Sequence, residues 1–230
     1  ILSHVLVSKL GAGTVSVVAT DIDTAFSAIL PGSVPFPVCI PVDAAIRGIK
    51  EQGGRIDVDC KSPGAPAVVA GISTPTLPAA DFPTPPWQLG EAMPATRIEG
   101  DLAGFFSALA EVEPFASEDS TRQGLHGVYL ESFAGEDNSL RLVATDGYRL
   151  GLRWVRGVYP EGGVLPAPGM TEGGSSILLS YKVATLATQL RVATEFLVAP
   201  THVIVRGDGW QFWARCPEGP FPEYLQVIPD

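Results

Sequence analysis

The sequence predicts an α+β fold made of two repeated domains, each an antiparallel sheet with amphipathic helices on one face. Three observations predict it. The quartet Val18, Ala19, Thr20, Asp21 recurs as Val143, Ala144, Thr145, Asp146. Each copy follows a short apolar run, Val5 to Val7 or Val128 to Leu130, across a turn-rich stretch. The same order of hairpin, helix and strands then reads outward from both quartets. They lie roughly one domain length of 100–150 residues apart, too far for a solenoid period of about 20–50.

In the first copy, Leu2 to Val7 and Thr14 to Ala19 alternate apolar and polar residues and predict a hairpin, with Gly11, Ala12 and Gly13 supplying the positive-φ turn. In the second, Gly127 to Ser132 and Ser139 to Thr145 do the same around Gly135, Glu136, Asp137 and Asn138. A helix follows in each, because apolar residues recur at i, i+3, i+4 and i+7: Val42, Ala45, Ile46, Ile49, and Val183, Leu186, Ala187, Leu190. Strands come next, Arg55 to Cys60 and Ala67 to Gly71 in one copy. The other has Phe196 to Ala199, His202 to Arg206 and Trp210 to Arg215, the last two joined by Gly207, Asp208, Gly209. Both copies close on Phe-Pro, at Phe82, Pro83 and at Phe221, Pro222.

The second copy has one element more, a helix from Asp101 to Val112 with the stripe Leu102, Phe105, Phe106, Leu109. Its counterpart is expected upstream of Ile1, where the chain starts in mid-pattern without a Met. Proline-rich Phe82 to Pro94 has the composition of a linker and puts the boundary near residue 90. The domains expected are therefore 1–90, lacking its first strand and helix, and 91–230.

Composition bounds the function. A hydrophobic fraction of 46% with 17% charged residues fits a packed globular protein and excludes disorder. No apolar run approaches the ~18 residues of a membrane span, and the first residues lack a basic region and a cleavage site, so a cytoplasmic protein without membrane association is expected. Cys39, Cys60 and Cys216 form no close pair, and His4, His126 and His202 stand alone, so no disulfide framework, metal site or cofactor is expected. The net charge of −10 disfavours a broad basic face for nucleic acid.

Phe115 to Arg122, Leu125 to Val128, the run LRLVATDGYRL from Leu140 to Leu150, and GPFPEYLQVIP from Gly219 to Pro229 together resemble the bacterial sliding clamp family, the beta subunit of DNA polymerase III. Ile1 to Ser3 resembles a point inside that family's first domain, so the resemblance runs from mid-domain one to the end of domain two, with the third domain absent. It implies the DNA clamp fold and a ring of six domains, helices lining the hole. Such a ring encircles duplex DNA without reading sequence and tethers the replicative polymerase as a processivity factor. It implies no catalysis. Six domains close as a dimer of three-domain chains or a trimer of two-domain chains.

A sliding ring must attract phosphates through Lys and Arg on its lining. On the first helix the apolar stripe leaves Arg47 nearly opposite and Lys50 at the flank; on the later helix Lys182 and Arg191 flank a polar face. Resemblance adds Arg122 of the loop Ser120, Thr121, Arg122. It also implies a hydrophobic pocket in which polymerase and clamp-loader subunits insert short linear peptides. The matching positions are Leu125, Thr145, Gly147, Tyr148, Arg149, Leu150, Pro222 and Val227. Arg149, charged between Tyr148 and Leu150, is an odd core residue, and Tyr148 replaces a histidine common in relatives. A scaffold with the clamp fold and peptide pocket that does not encircle DNA is the alternative.

Asp21 and Asp23 have the spacing of a Mg²⁺ pair, but the second copy continues from Asp146 with Gly147 and Tyr148. Both Asp21 and Asp146 are read instead as satisfying backbone amides in the turn after the strand. No nucleophile set or dinucleotide loop is discernible, and an enzyme is not expected.

Overall fold

The computed structural model describes residues 3–83, 95–133, 138–166, 169–171 and 174–228. They fall into two compact units, one of Ile1–Glu91 with Gly209–Phe212, the other of Ala92–Asp208 with Trp213–Asp230. The expected boundary near residue 90, most of the linker from Phe82 to Pro94, and the turn residues Gly135 to Asp137 lie outside the described residues.

The first unit holds β1 (His4–Gly11), β2 (Thr14–Thr20), β3 (Thr24–Ser33), β4 (Val38–Pro41), α1 (Val42–Glu51), β5 (Ile56–Cys60), β6 (Ala67–Val69), β7 (Ile72–Thr74) and β8 (Leu77–Pro78). The sheet order β3-β2-β1-β4-β8 is antiparallel throughout. β5 joins the end of β3 in parallel, Gly32 facing Ile56, and leads into the β5-β6-β7 meander. Alternation along β1 and β2 sends Val5, Val7 and Val15 inward, where they meet Ile40, Ile56 and Val69.

The second unit holds β9 (Thr96–Gly100), α2 (Leu102–Val112), β10 (Gly127–Phe133), β11 (Ser139–Thr145), β12 (Leu150–Arg156), β13 (Val158–Pro160), β14 (Gly169–Thr171), β15 (Gly174–Ser180), α3 (Tyr181–Thr185), α4 (Ala187–Leu190), β16 (Glu195–Val198), β17 (His202–Gly207) and the second half of β18 (Trp210–Arg215), whose first three residues are counted with the first unit. One sheet runs β12-β11-β10-β15-β14 and another β13-β9-β16-β17-β18. Asp101 caps α2 by accepting from the Gly104 amide at 3.0 Å. Its stripe then buries Phe105, Phe106 and Leu109, and Phe196 of β16 packs on both phenylalanines with ring centroids 5.3 and 5.5 Å away.

Two helix expectations are corrected. On α1 the buried residues are Ala44, Ala45 and Gly48, whereas Ile46 is 46% exposed. Val42, Ala45 and Ile49 of the expected stripe do pack on the core, but the inward face extends to Ala44 and Gly48 instead of Ile46, because small residues let the helix approach the sheet and an added Cβ at Gly48 would sit 2.8 Å from Val69. The later helix is not continuous. It breaks at Leu186 (φ −91°, ψ 0°) into α3 and α4, burying Val183, Ala187 and Leu190 but leaving Leu186 37% exposed.

The repeated quartet forms the same turn in both units. Thr20 Oγ1 donates to Thr24 O at 2.7 Å and accepts from Ile22 N at 3.1 Å. Thr145 Oγ1 donates to Arg149 O at 2.7 Å and accepts from Gly147 N at 3.0 Å. Asp21 takes the Thr24 amide at 2.7 Å, and Asp146 takes those of Tyr148 and Arg149 at 2.9 and 3.0 Å, as read from the sequence. Register agrees too, with Thr20 facing Ala25 and Thr145 facing Leu150. The turn needs a left-handed residue at its second position, which is Gly147 at φ 93° in one unit and Ile22 at φ 84° in the other.

A β-branched side chain is disfavoured there by about 1–2 kcal/mol, and glycine loses about 0.5–1 kcal/mol more chain entropy on folding. Ile22, 66% exposed, has little packing to lose. Ile22→Gly should therefore stabilise the first unit by about 0.5–1 kcal/mol in urea unfolding; a destabilised variant would contradict the shared turn geometry.

Candidate functional site

The β11–β12 corner gathers several of the residues singled out in the sequence. Thr145 is buried and closes the turn, Gly147 sits at its left-handed position, and Tyr148 stands 96% exposed at the tip. Arg149 projects from the corner and donates Nε to Asp146 Oδ2 at 2.9 Å and Nη2 to Pro114 O at 2.8 Å. Its guanidinium lies 5.7 Å from the Phe115 ring centroid. Phe115 in turn packs on β12, where an added Cβ at Gly151 would come within 2.5 Å of its ring. Leu150 is half-buried beside this pair.

Leu125 is buried in a single 3-10 turn, Gln123–Leu125. That turn is fixed by Leu125 N donating to Arg122 O at 2.8 Å and Ser117 N to Leu125 O at 3.0 Å. Arg122 donates Nη1 to Asp146 O at 2.7 Å, and its Nη2 would be 2.9 Å from a Cβ at Gly147. A residue read as a phosphate contact thus buttresses the corner read as a peptide site.

Pro222 and Val227 belong to the segment after β18. Pro222 borders a cavity of about 940 Å³ within the second unit, also lined by Tyr129, Glu131, Arg141, Ser176 and Tyr224. Val227, 71% exposed, ends the 3-10 turn Tyr224–Val227. The segment meets the Leu125 turn at Gly124, where an added Cβ would be 2.3 Å from Pro220 O.

The basic residues differ in setting. Lys50, Lys182 and Arg191 are exposed. Arg47 does not stand opposite the buried face as expected; the inward face that includes Ala44 and Gly48 leaves it half-buried, with a buried Nε that has no hydrogen-bond partner among the described residues. Among the described residues no group of three or more His, Cys, Asp or Glu could hold a metal ion, and no helix is long and apolar enough to cross a membrane.

Sequence reasoning missed the residues that hold the segment carrying Pro222 and Val227. Glu131 and Arg141 face each other across β10 and β11, nearly fully buried, with Arg141 Nε donating to Glu131 Oε2 at 2.8 Å. The hydroxyl of Tyr224 donates to the same Glu131 oxygen, and Phe221 stacks on Tyr129 at 4.6 Å with planes 2° apart. The available signal was one acidic and one basic residue inside two neighbouring predicted strands.

The Arg149 guanidinium, with help from the Tyr148 and Arg149 amides, holds the Asp146 carboxyl down at about 2. Its contribution is therefore present above the ordinary value of 3.8 and is lost as pH falls toward about 2. In Arg149→Ala the carboxyl should titrate back toward about 4, read by carbon NMR of the Asp146 side chain; an unmoved titration would show that Arg149 does not hold it.

No family model matches the chain. The chain is 28% identical over 245 residues to the beta sliding clamp of Caulobacter vibrioides, covering 100% of this chain and 61% of that protein. A DNA polymerase sliding clamp from Caulobacter crescentus superposes with a TM-score of 0.80 at 24% identity, covering 100% of this chain and 61% of the other. A sliding clamp from Pseudomonas aeruginosa bound to griselimycin gives 0.73 at 20% identity, covering 100% and 60%. The chain spans about three fifths of the relatives it matches and has the sliding clamp fold.

Proposed function

We propose that this chain is part of a sliding clamp, with 1–90 a portion of the first clamp domain and 91–230 the central one. The whole protein, on this reading, closes into a ring around duplex DNA and tethers the replicative polymerase in the cytoplasm, with no chemistry of its own. The observation that carries it is similarity to beta sliding clamps along the entire chain, together with a corner that offers a charged and an apolar anchor side by side. Arg47, Lys50, Arg122, Lys182 and Arg191 are the proposed phosphate contacts, and the net charge of −10 keeps DNA off the remaining surface.

The proposed peptide site comprises Leu125, Thr145, Gly147, Tyr148, Arg149, Leu150, Pro222 and Val227, serving polymerase and clamp-loader subunits. Its rigid part is the corner, pre-organised by Thr145, Asp146 and Arg122, so little entropy is lost there on binding. Exposed Tyr148 supplies a large amphipathic surface suited to a peptide anchor.

Two measurements test this. The full-length protein loaded on closed circular DNA should stay bound and be lost once the circle is cut; equal retention on both forms would contradict encirclement and favour a peptide-binding scaffold. Griselimycin, which a related clamp binds, should bind Leu150→Ala at least about tenfold more weakly, the loss of roughly 1.4 kcal/mol of apolar contact. Unchanged affinity by calorimetry would remove Leu150 from the site.

A further inference from the structure

The segment Cys216–Ile228 carries two of the proposed peptide contacts, yet belongs to no sheet. Its described backbone bonds are local except at its start, where Cys216 N donates to Thr201 O at 2.8 Å; the others run Tyr224 to Pro222, Gln226 to Glu223 and Ile228 to Leu225. Side chains therefore fix its place. Phe221 lies flat on Tyr129, and the Tyr224 ring sits 5.2 Å from the Arg141 guanidinium, which Phe133 and Trp154 flank at 4.5 and 5.0 Å.

Stacking alone tolerates sliding, because aromatic faces are smooth and offset arrangements are close in energy. A hydroxyl bonded to a buried carboxylate does not slide. Glu131 is 1% exposed, and any register of the segment that withdrew the Tyr224 hydroxyl would remove a charge-assisted bond from a buried carboxylate. The hydroxyl is held protonated by its burial and by that carboxylate, which together raise its pKa.

We infer that the cross-strand pair Glu131–Arg141 is a socket for Tyr224 and that the Tyr224 hydroxyl sets the register of Pro222 and Val227, making Tyr224 and Glu131 positioning residues for ligand capture. The inference rests on the peptide site proposed above for the second unit. It gives the charged pair on this sheet face a role: a hydrophobic pair of the same volume would pack but would give the segment no polar stop.

The test uses the full-length protein and Tyr224→Phe, which keeps the ring and removes only the hydroxyl. At 25 °C, with folding verified by circular dichroism, griselimycin should bind Tyr224→Phe about tenfold more weakly, mostly through faster dissociation. Amide exchange should quicken across Cys216–Ile228 and stay unchanged in β10 and β11. A role in stability alone would lower the melting temperature and leave the affinity at 25 °C intact, which would overturn the inference. Faster exchange through the whole unit would overturn it as well. If griselimycin fails to bind even the unaltered protein, the peptide-site reading falls, and the exchange pattern still decides whether the hydroxyl holds the segment.

Discussion

Every residue of β11 is buried, and that two-sided burial is the constraint on which the rest of the second unit depends. A strand in an antiparallel sheet normally spares one face for water; here both must be covered. Leu130, Leu142 and Ala144 fill one side, where α2 packs along β11 and β12. On the opposite side the segment after β18 covers Tyr129, Glu131 and Arg141, with Phe221 stacked on Tyr129 and Tyr224 on the charged pair. Burying Glu131 and Arg141 is tolerable only because each neutralises the other; removing one partner would cost about 3–5 kcal/mol. The fold thus ties a segment without sheet pairing to β10, the neighbour of its fully buried strand, through the bond from the Tyr224 hydroxyl to Glu131.

The repeated turn shows how one local solution serves two ends. Thr and Asp of the quartet satisfy the same amides and carbonyls in both units, so the hairpin closes over the same four residues. What differs is what the turn presents. In the first unit it displays Ile22 in a backbone conformation unfavourable to it. In the second, Gly147 relieves the backbone, Tyr148 is thrust outward, and Arg149 takes the place of Thr24 and reaches back to Asp146 and Pro114. Relaxed geometry coincides with the proposed site, the reverse of the usual expectation that strain marks function.

Elements with a strong period were legible in the sequence. The hairpins β1–β2 and β10–β11, the strands β16 to β18, and α2 stand close to where alternation and the helical stripe put them. The partners of the repeated turn, β3 and β12, were not. β3 carries Ser27, Ala28, Pro31 and Gly32, residues of poor strand propensity whose pairing is dictated by the turn before them. α1 misled because Ala44 and Gly48 face inward for their size, leaving the larger Ile46 in solvent. The corner residues of the proposed site were legible through a family resemblance and one misplaced charge, Arg149. The socket was not, since cross-strand pairing depends on register that only the folded sheet defines.

If Tyr224 is socketed on the buried pair, Glu131 and Tyr224 act as one unit rather than as separate stabilising groups. A double-mutant cycle of Glu131→Gln and Tyr224→Phe, followed by urea unfolding of the second unit, measures this directly. A coupling of at least about 1 kcal/mol is expected. Additivity within about 0.3–0.5 kcal/mol would contradict it.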